Sequence, residues 1–289
     1  FREHERGSSN MGLGFANAIG ELALVVFTTL APAAAVGYAL SCLALVFSDC
    51  EPLERNERLH KLFAPLSICM IGLIASAAHL GNPANVLYVL TGITRSPLSN
   101  EVTGAVVFLA LAAMFWLYSF GLKPNVMLQR VWAGLICAAA LVFITLVSIA
   151  YDVETIVTWH SFHTPLSIWC NAFAAGPLLA ILTIKLGGPL NGETRFFKPM
   201  ATICLAATAI GIIVYLLQGF SLYSMGNYIL TAQELFPYYW AAFALHVVLG
   251  AAAVLTRRRI ALSTTLMFTA IFVMRFSFYI FHMTAGLGI

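Results

Sequence analysis

Eight apolar stretches, each long enough to cross a bilayer, constrain this chain more than any other feature of its sequence. They run near Leu22–Phe47, Leu62–Leu80, Val102–Leu122, Val131–Tyr151, Thr164–Leu186, Met200–Leu217, Tyr238–Leu255 and Ile260–Met283. A helix needs about 20 apolar residues to span a hydrocarbon core of ~30 Å, and none of these stretches alternates as a barrel strand must. Backbone groups in hydrocarbon have no water to bond, so the stretches are expected to fold as helices. The charge balance agrees. Of 289 residues, 15 are Lys or Arg and 12 are Asp or Glu, while 61% are hydrophobic. Soluble domains are typically about one-quarter charged. A soluble enzyme, a nucleic-acid binder and a disordered chain are excluded on that ground. The reading is an all-α integral membrane protein, a bundle of eight transmembrane helices over residues 22–289 preceded by a tail, 1–21. Within that tail Phe1–Asn10, polar and upstream of Met11, stand apart from the fold.

Basic residues orient the bundle, because Lys and Arg accumulate in cytoplasmic loops. Loops following odd-numbered spans hold 11 of them: Arg55, Arg58, Lys61, Lys123, Arg130, Lys185, Arg195, Lys198, Arg257, Arg258 and Arg259. Loops following even-numbered spans hold Arg95 alone, and Arg2 and Arg6 of the tail are the contrary residues. The bias predicts both termini on the outer side of the membrane, which is the periplasmic side if that membrane is the cytoplasmic (inner) membrane of a bacterium.

That orientation assigns a depth to each polar side chain. Glu21 opens the first span, His79 closes the second, Glu101 opens the third and Gln218 ends the sixth, all at the outer face. His160 and His163 also lie outside, and His246 falls about 12 Å inward along the seventh span. Arg275 lies about 22 Å up the eighth, with Tyr279 and His282 above it. Ionisable groups in a membrane cost about 2.5–3.5 kcal/mol or more unless paired or wetted, so several on one side point to a site. Taken singly, His79 and Glu101 also suit ordinary helix ends in contact with headgroups. A charge as deep as Arg275 needs a carboxylate, a cluster of carbonyls or water. Phe268, Phe272, Arg275, Tyr279 and His282 share one helical stripe, and Cys69, Gly72, Ser76 and His79 form a small-residue stripe on the second span. Core packing explains an aromatic stripe equally well. A pocket for a flat amphipathic ligand with a polar head and an isoprenoid tail is the functional alternative.

Other chemistry finds no footing. The cysteines Cys42, Cys50, Cys69, Cys137, Cys170 and Cys204 are scattered, without the spacing of an iron–sulfur cluster or a zinc site. His79, His246 and His282 form no evident mid-bilayer pair for haem. No phosphate-binding loop, nucleophile elbow, zinc-protease helix or dinucleotide fingerprint is present.

The run His79-Leu80-Gly81-Asn82-Pro83, followed by Leu98-Ser99-Asn100-Glu101, resembles the region between the second and third helices of the DMSO reductase membrane anchor family (DmsC). Three further patches resemble it in order: Thr158-Trp159, Ser161 and Thr164-Pro165 leading into Gly176-Pro177-Leu178-Leu179; Gln218-Gly219; and Arg275, Phe278-Tyr279, His282-Met283-Thr284 and Gly286. The resemblance implies an anchor that binds menaquinol as its substrate and carries neither haem nor an iron–sulfur cluster. Electrons would pass to a four-cluster ferredoxin-like iron–sulfur subunit and on to a molybdopterin catalytic subunit. It also implies that His79 and Glu101 belong to the quinol site. Roles for Arg275, Tyr279 and His282 there are inferred from spacing, and the outer loops Gly81–Glu101 and Gln218–Pro237 are candidates for the docking surface. Glu101 is expected at the mouth of the site, relaying a proton to outside water. Three alternatives stand beside this reading: a polysulfide-reductase-type (NrfD-like) quinone anchor, a secondary transporter, and a tether without a quinol site. Transporters usually place their site at the midplane between repeated halves, and neither feature is visible.

Overall fold

The structure, a computed structural model, describes residues 14–79, 91–190, 192–227 and 231–284. Its helices are α1 (Leu22–Val46), α2 (Pro52–Leu59), α3 (Phe63–Ala78), α4 (Pro97–Tyr118), α5 (Val126–Ala150), α6 (His163–Leu186), α7 (Thr194–Ser221), α8 (Phe236–Leu255) and α9 (Ile260–Ile280). Among the described residues eight helical spans are long and apolar enough to cross a membrane, α2 and α3 forming one of them through the turn His60–Leu62.

Helices α4, α5 and α7 start five or six residues earlier than expected, two of them with proline among the added residues. Helix α4 begins five residues early because Pro97 occupies its first turn, where a missing N–H is harmless. Helix α7 begins at Thr194 and runs through Pro199, a residue that apolarity alone assigns to a break. Pro32 and Pro177 are likewise carried inside α1 and α6, as neighbouring helices permit in a membrane. The expected loop Ser48–Lys61 contains α2, an amphipathic turn that ties three loops together. Asn56 donates to the Gly121 carbonyl at 2.9 Å and accepts from Gln129 at 2.8 Å, while Arg58 donates to the carbonyls of Gly188 and Pro189.

Helices α1 and α6 form the axis of the bundle. Their most apolar windows are 72% and 83% buried, against 22–44% for the other six spans. Helix α1 packs on α3, α5, α6 and α9, and α6 packs on α5, α7 and α9, with α8 outside α9 and α4 outside α5. Lipid is as apolar as leucine, so close contact between small residues, rather than exclusion of water, selects this arrangement. A Cβ on Gly176 would lie 2.5 Å from Val36 Cβ, and one on Gly72 3.1 Å from Ala31 Cβ. Backbones approach at those two points because no side chain intervenes. The stripe seen on the second span is therefore the face that α3 turns to α1.

Candidate functional site

Glu21, His79, Glu101 and the end of α9 come together at one end of the bundle, in two tiers. The shallower tier is built by the first residues of α1 and the last of α3. Glu21 precedes α1, His79 follows α3, and Oε2 of the one lies 3.1 Å from Nε2 of the other. That separation suits a charge pair, although the oxygen lies outside the N–H direction a good hydrogen bond requires. Both side chains are partly open, Glu21 at 25% and His79 at 36%. His282 completes the tier. It is half-buried against Trp159, with ring centres 4.8 Å apart, and feels the Glu21 carboxylate. Burial pulls the His282 imidazole below its ordinary value, and Glu21 works in the opposite direction.

The deeper tier surrounds Arg275, which is completely buried. Its Nε donates to Thr28 Oγ1 at 2.9 Å, while Nη1 and Nη2 find no acceptor among the described residues. Its guanidinium lies 4.1 Å from the centre of the Phe278 ring, 5.3 Å from Tyr151 and 5.5 Å from Tyr279. Such cation–π contacts contribute ~2 kcal/mol when desolvated. The Tyr279 hydroxyl lies beside Tyr151, Thr28 and Arg275 without making a hydrogen bond of good geometry. Glu101 belongs to this tier. It is only 3% exposed, and the opposing charge it feels is that of Arg275, although the two do not form an ion pair. The early start of α4 explains the burial: Glu101 falls within the helix instead of opening it. The structure thus corrects the expectation that Glu101 sits at the mouth of the site.

His79 and Glu101, predicted as partners, occupy different tiers. The carboxylate beside His79 is Glu21, which sequence reasoning placed at the outer face without assigning to the site. Thr28 and Tyr151 were also missed. A signal for two of these was present, since Glu21 and Thr28 are seven residues apart and so share one face of α1, about 10 Å apart along its axis. The other histidines go elsewhere. His160 pairs with Asp152 at 3.0 Å, and buried His246 uses Nδ1 on the Ala270 carbonyl at 2.9 Å while packing on Tyr215.

The loop before α6 clamps the end of α9 from the far side. Trp159 stacks on Phe278 at 4.5 Å and donates to its carbonyl, Thr158 donates to the carbonyl of Phe281, and Val157 to that of Met283. Gln218 lines a small enclosed cavity with Thr158, Trp159 and Phe278. Residues from three of the patches that carry the resemblance therefore meet around Phe278, whose ring lies against Arg275. The segment Leu80–Pro83 and Gly286 lie outside the described residues, as do parts of both loops considered for docking.

Below the deeper tier a groove of about 530 Å³ runs between α1, α3, α6 and α9. Leu30, Ile68, Leu179, Phe268 and Phe272 make its walls apolar, and Thr29 and Phe272 bring it within one residue of Thr28 and one turn of Arg275. The groove can hold a flexible hydrocarbon tail, and the polar groups of the two tiers lie beyond its end.

Sequence comparison identifies relatives of this protein. The anaerobic dimethyl sulfoxide reductase protein YnfH of Escherichia coli (strain K12) is 29% identical over 281 residues, 93% of this protein and 97% of that one. The C chain of anaerobic dimethyl sulfoxide reductase from the same organism is 27% identical over 234 residues, covering 81% and 80%. Its counterpart of the same name in Haemophilus influenzae is 29% identical over 226 residues, covering 76% and 77%. The sequence profile of the DMSO reductase anchor subunit family (DmsC) matches residues 15–281. With eight membrane-length helices and a match over nearly its whole length, the chain belongs to the DMSO reductase anchor subunit family.

Proposed function

We propose that this protein, as the membrane anchor of a DMSO reductase-type complex, binds menaquinol at the two-tiered end of the bundle and oxidises it there. The electrons leave to a four-cluster iron–sulfur subunit docked on that end, and reach a molybdopterin catalytic subunit beyond it. The setting is the bacterial cytoplasmic membrane, with the site on its outer side. One observation carries the reading. Among the described residues, the fully buried Arg275 has two nitrogens without an acceptor, beside a Tyr279 hydroxyl also without a partner. Leaving such groups unbonded costs about 1–3 kcal/mol each, more for charged ones, so a ligand that bonds them is favoured.

A quinol fits the chemistry of both tiers. Its hydroxyls sit on opposite edges of a flat ring, and the polar groups here are stacked along the bundle axis, with aromatic rings between. The Arg275 and Tyr279 groups orient the deeper oxygen, with Glu101 beside them to hold a proton. His79 accepts the proton of the shallower hydroxyl, a task for which imidazole is suited near neutral pH. His282 closes the site above Trp159. The isoprenoid tail lies in the groove between α3 and α9, leaving by way of Phe272 and Phe268.

The test is His79→Leu in the assembled complex. It removes the proton acceptor at a partly open position, so assembly survives. A general base contributes ~10²–10⁴-fold, so turnover with a menaquinol analogue falls by about 100-fold or more. Turnover driven by a dye that reduces the soluble subunits directly is unchanged. A variant that oxidises the quinol analogue at the parental rate refutes the assignment.

A further inference from the structure

We infer that Glu21 is the positioning carboxylate of the site, orienting His79 and carrying its proton to solvent, which places the proton exit on α1 instead of α4. The inference rests on the reading of this end of the bundle as a quinol site. Geometry separates the two carboxylates. Glu21 lies 3.1 Å from His79 Nε2 and is 25% exposed, so it touches both the imidazole and the surface. Glu101 is 3% exposed and faces Arg275 in the deeper tier, so it meets neither requirement. Among the described residues, the charged and titratable groups shown to face Glu21 are the two imidazoles of His79 and His282, at the ends of different helices. Close packing of α1 on α3 at Gly72 and Ala31 sets the distance between Glu21 and His79.

With Nε2 turned to Glu21, the remaining ring nitrogen of His79 is the one available to a quinol hydroxyl. A carboxylate on one nitrogen selects the tautomer that leaves the other as base, as carboxylates behind metal-bound histidines do. The transfer then balances as follows. The quinol O–H bond breaks and an N–H bond forms at Nδ1, while the electrons pass one at a time to iron–sulfur centres of the partner subunit. The imidazole then turns to bring its Nε2–H onto Glu21 Oε2, 3.1 Å away, the proton moves to that oxygen, and the carboxylic acid releases it to outside water. The second proton, from the deeper hydroxyl, goes to the Glu101 carboxylate, and the His79 imidazole returns to its first tautomer, Nδ1 bare and Nε2 protonated, before the next quinol.

The experiment uses the intact complex with a short-tailed menaquinol analogue, and three variants. Glu21→Gln keeps shape and polarity but cannot take a proton. It is expected to lower kcat by at least about tenfold with KM changed less than about twofold, and to leave dye-driven turnover untouched. Glu21→Asp, one methylene shorter, recovers part of the rate. Glu21→Ala opens space at a partly exposed position, so formate added to the medium restores turnover in a saturable manner. Parental kcat in Glu21→Gln overturns the inference, as does a loss in Glu21→Ala that formate does not relieve or that appears in KM alone. His79→Leu measured alongside separates the two claims. If it is inactive while Glu21→Gln is normal, only the role of Glu21 fails. If His79→Leu itself is normal, the quinol site lies elsewhere.

Discussion

Arg275 is held in the deeper tier through a single hydrogen bond, and Thr28→Val tests that anchoring. Valine has nearly the shape of threonine, so packing of α1 against α9 is preserved while the acceptor of the 2.9 Å bond from Arg275 Nε disappears. The threonine hydroxyl also bonds the Leu24 carbonyl at 2.8 Å within its own helix, a contact whose loss matters little. Hydrogen bonds to charged groups contribute about 1.5–3 kcal/mol, and here the donor is fully buried with its two other nitrogens already unbonded. The expected loss is about 2 kcal/mol, or roughly 30-fold in the folded-to-unfolded ratio. Unfolding of the purified protein in mixed detergent measures it, with Thr28→Ser as the control that keeps the hydroxyl and loses only a methyl group. A Thr28→Val protein as stable as the parent and as Thr28→Ser would show that Arg275 is anchored by something other than α1. Quinol-dependent turnover supplies a second reading, because in the proposed site an unanchored guanidinium would no longer meet the quinol oxygen at a fixed place.

Gly176→Ala puts a methyl group 2.5 Å from Val36 Cβ at the α1–α6 contact, and overpacking of that kind costs ~1–3 kcal/mol or more, seen as a lowered Tm of the detergent-solubilised protein. Gly134, with open space around its Cβ position, gives the opposite outcome: Gly134→Ala leaves Tm unchanged or raises it by the helix-propensity difference of up to about 1 kcal/mol. A reporter active only outside the cytoplasm, fused after Ile289, is expected to be active, and activity confined to fusions in 187–199 would reverse the orientation. Absorption spectra of the purified protein are expected to lack a Soret band, since His246 is committed to the Ala270 carbonyl and His79 to Glu21; haem at one equivalent per protein would contradict these histidine assignments.

The spans were legible in the sequence for a physical reason: a transmembrane helix satisfies its own backbone, so about twenty consecutive apolar residues announce it without any knowledge of neighbours. Counting spans also placed His79, Glu101, Arg275, Tyr279 and His282 at one end, because successive antiparallel crossings return every second loop to the same side. Helix starts at Pro97 and Thr194 were missed because apolarity marks the hydrocarbon core and not the polar turns that extend beyond it. Which helices lie at the centre was not legible either. Spans that are apolar all round carry little sign of which face is packed, and α1 and α6 take the axis through close approaches at Gly72 and Gly176 that exist only once the helices meet. The same holds for the chemistry. Residue types and depths are local properties, and the sequence alone determined them. Only the tertiary structure decided that His79 pairs with Glu21, that Thr28 holds Arg275 and that Glu101 lies beneath the shallower tier, because each of these contacts joins helices far apart along the sequence.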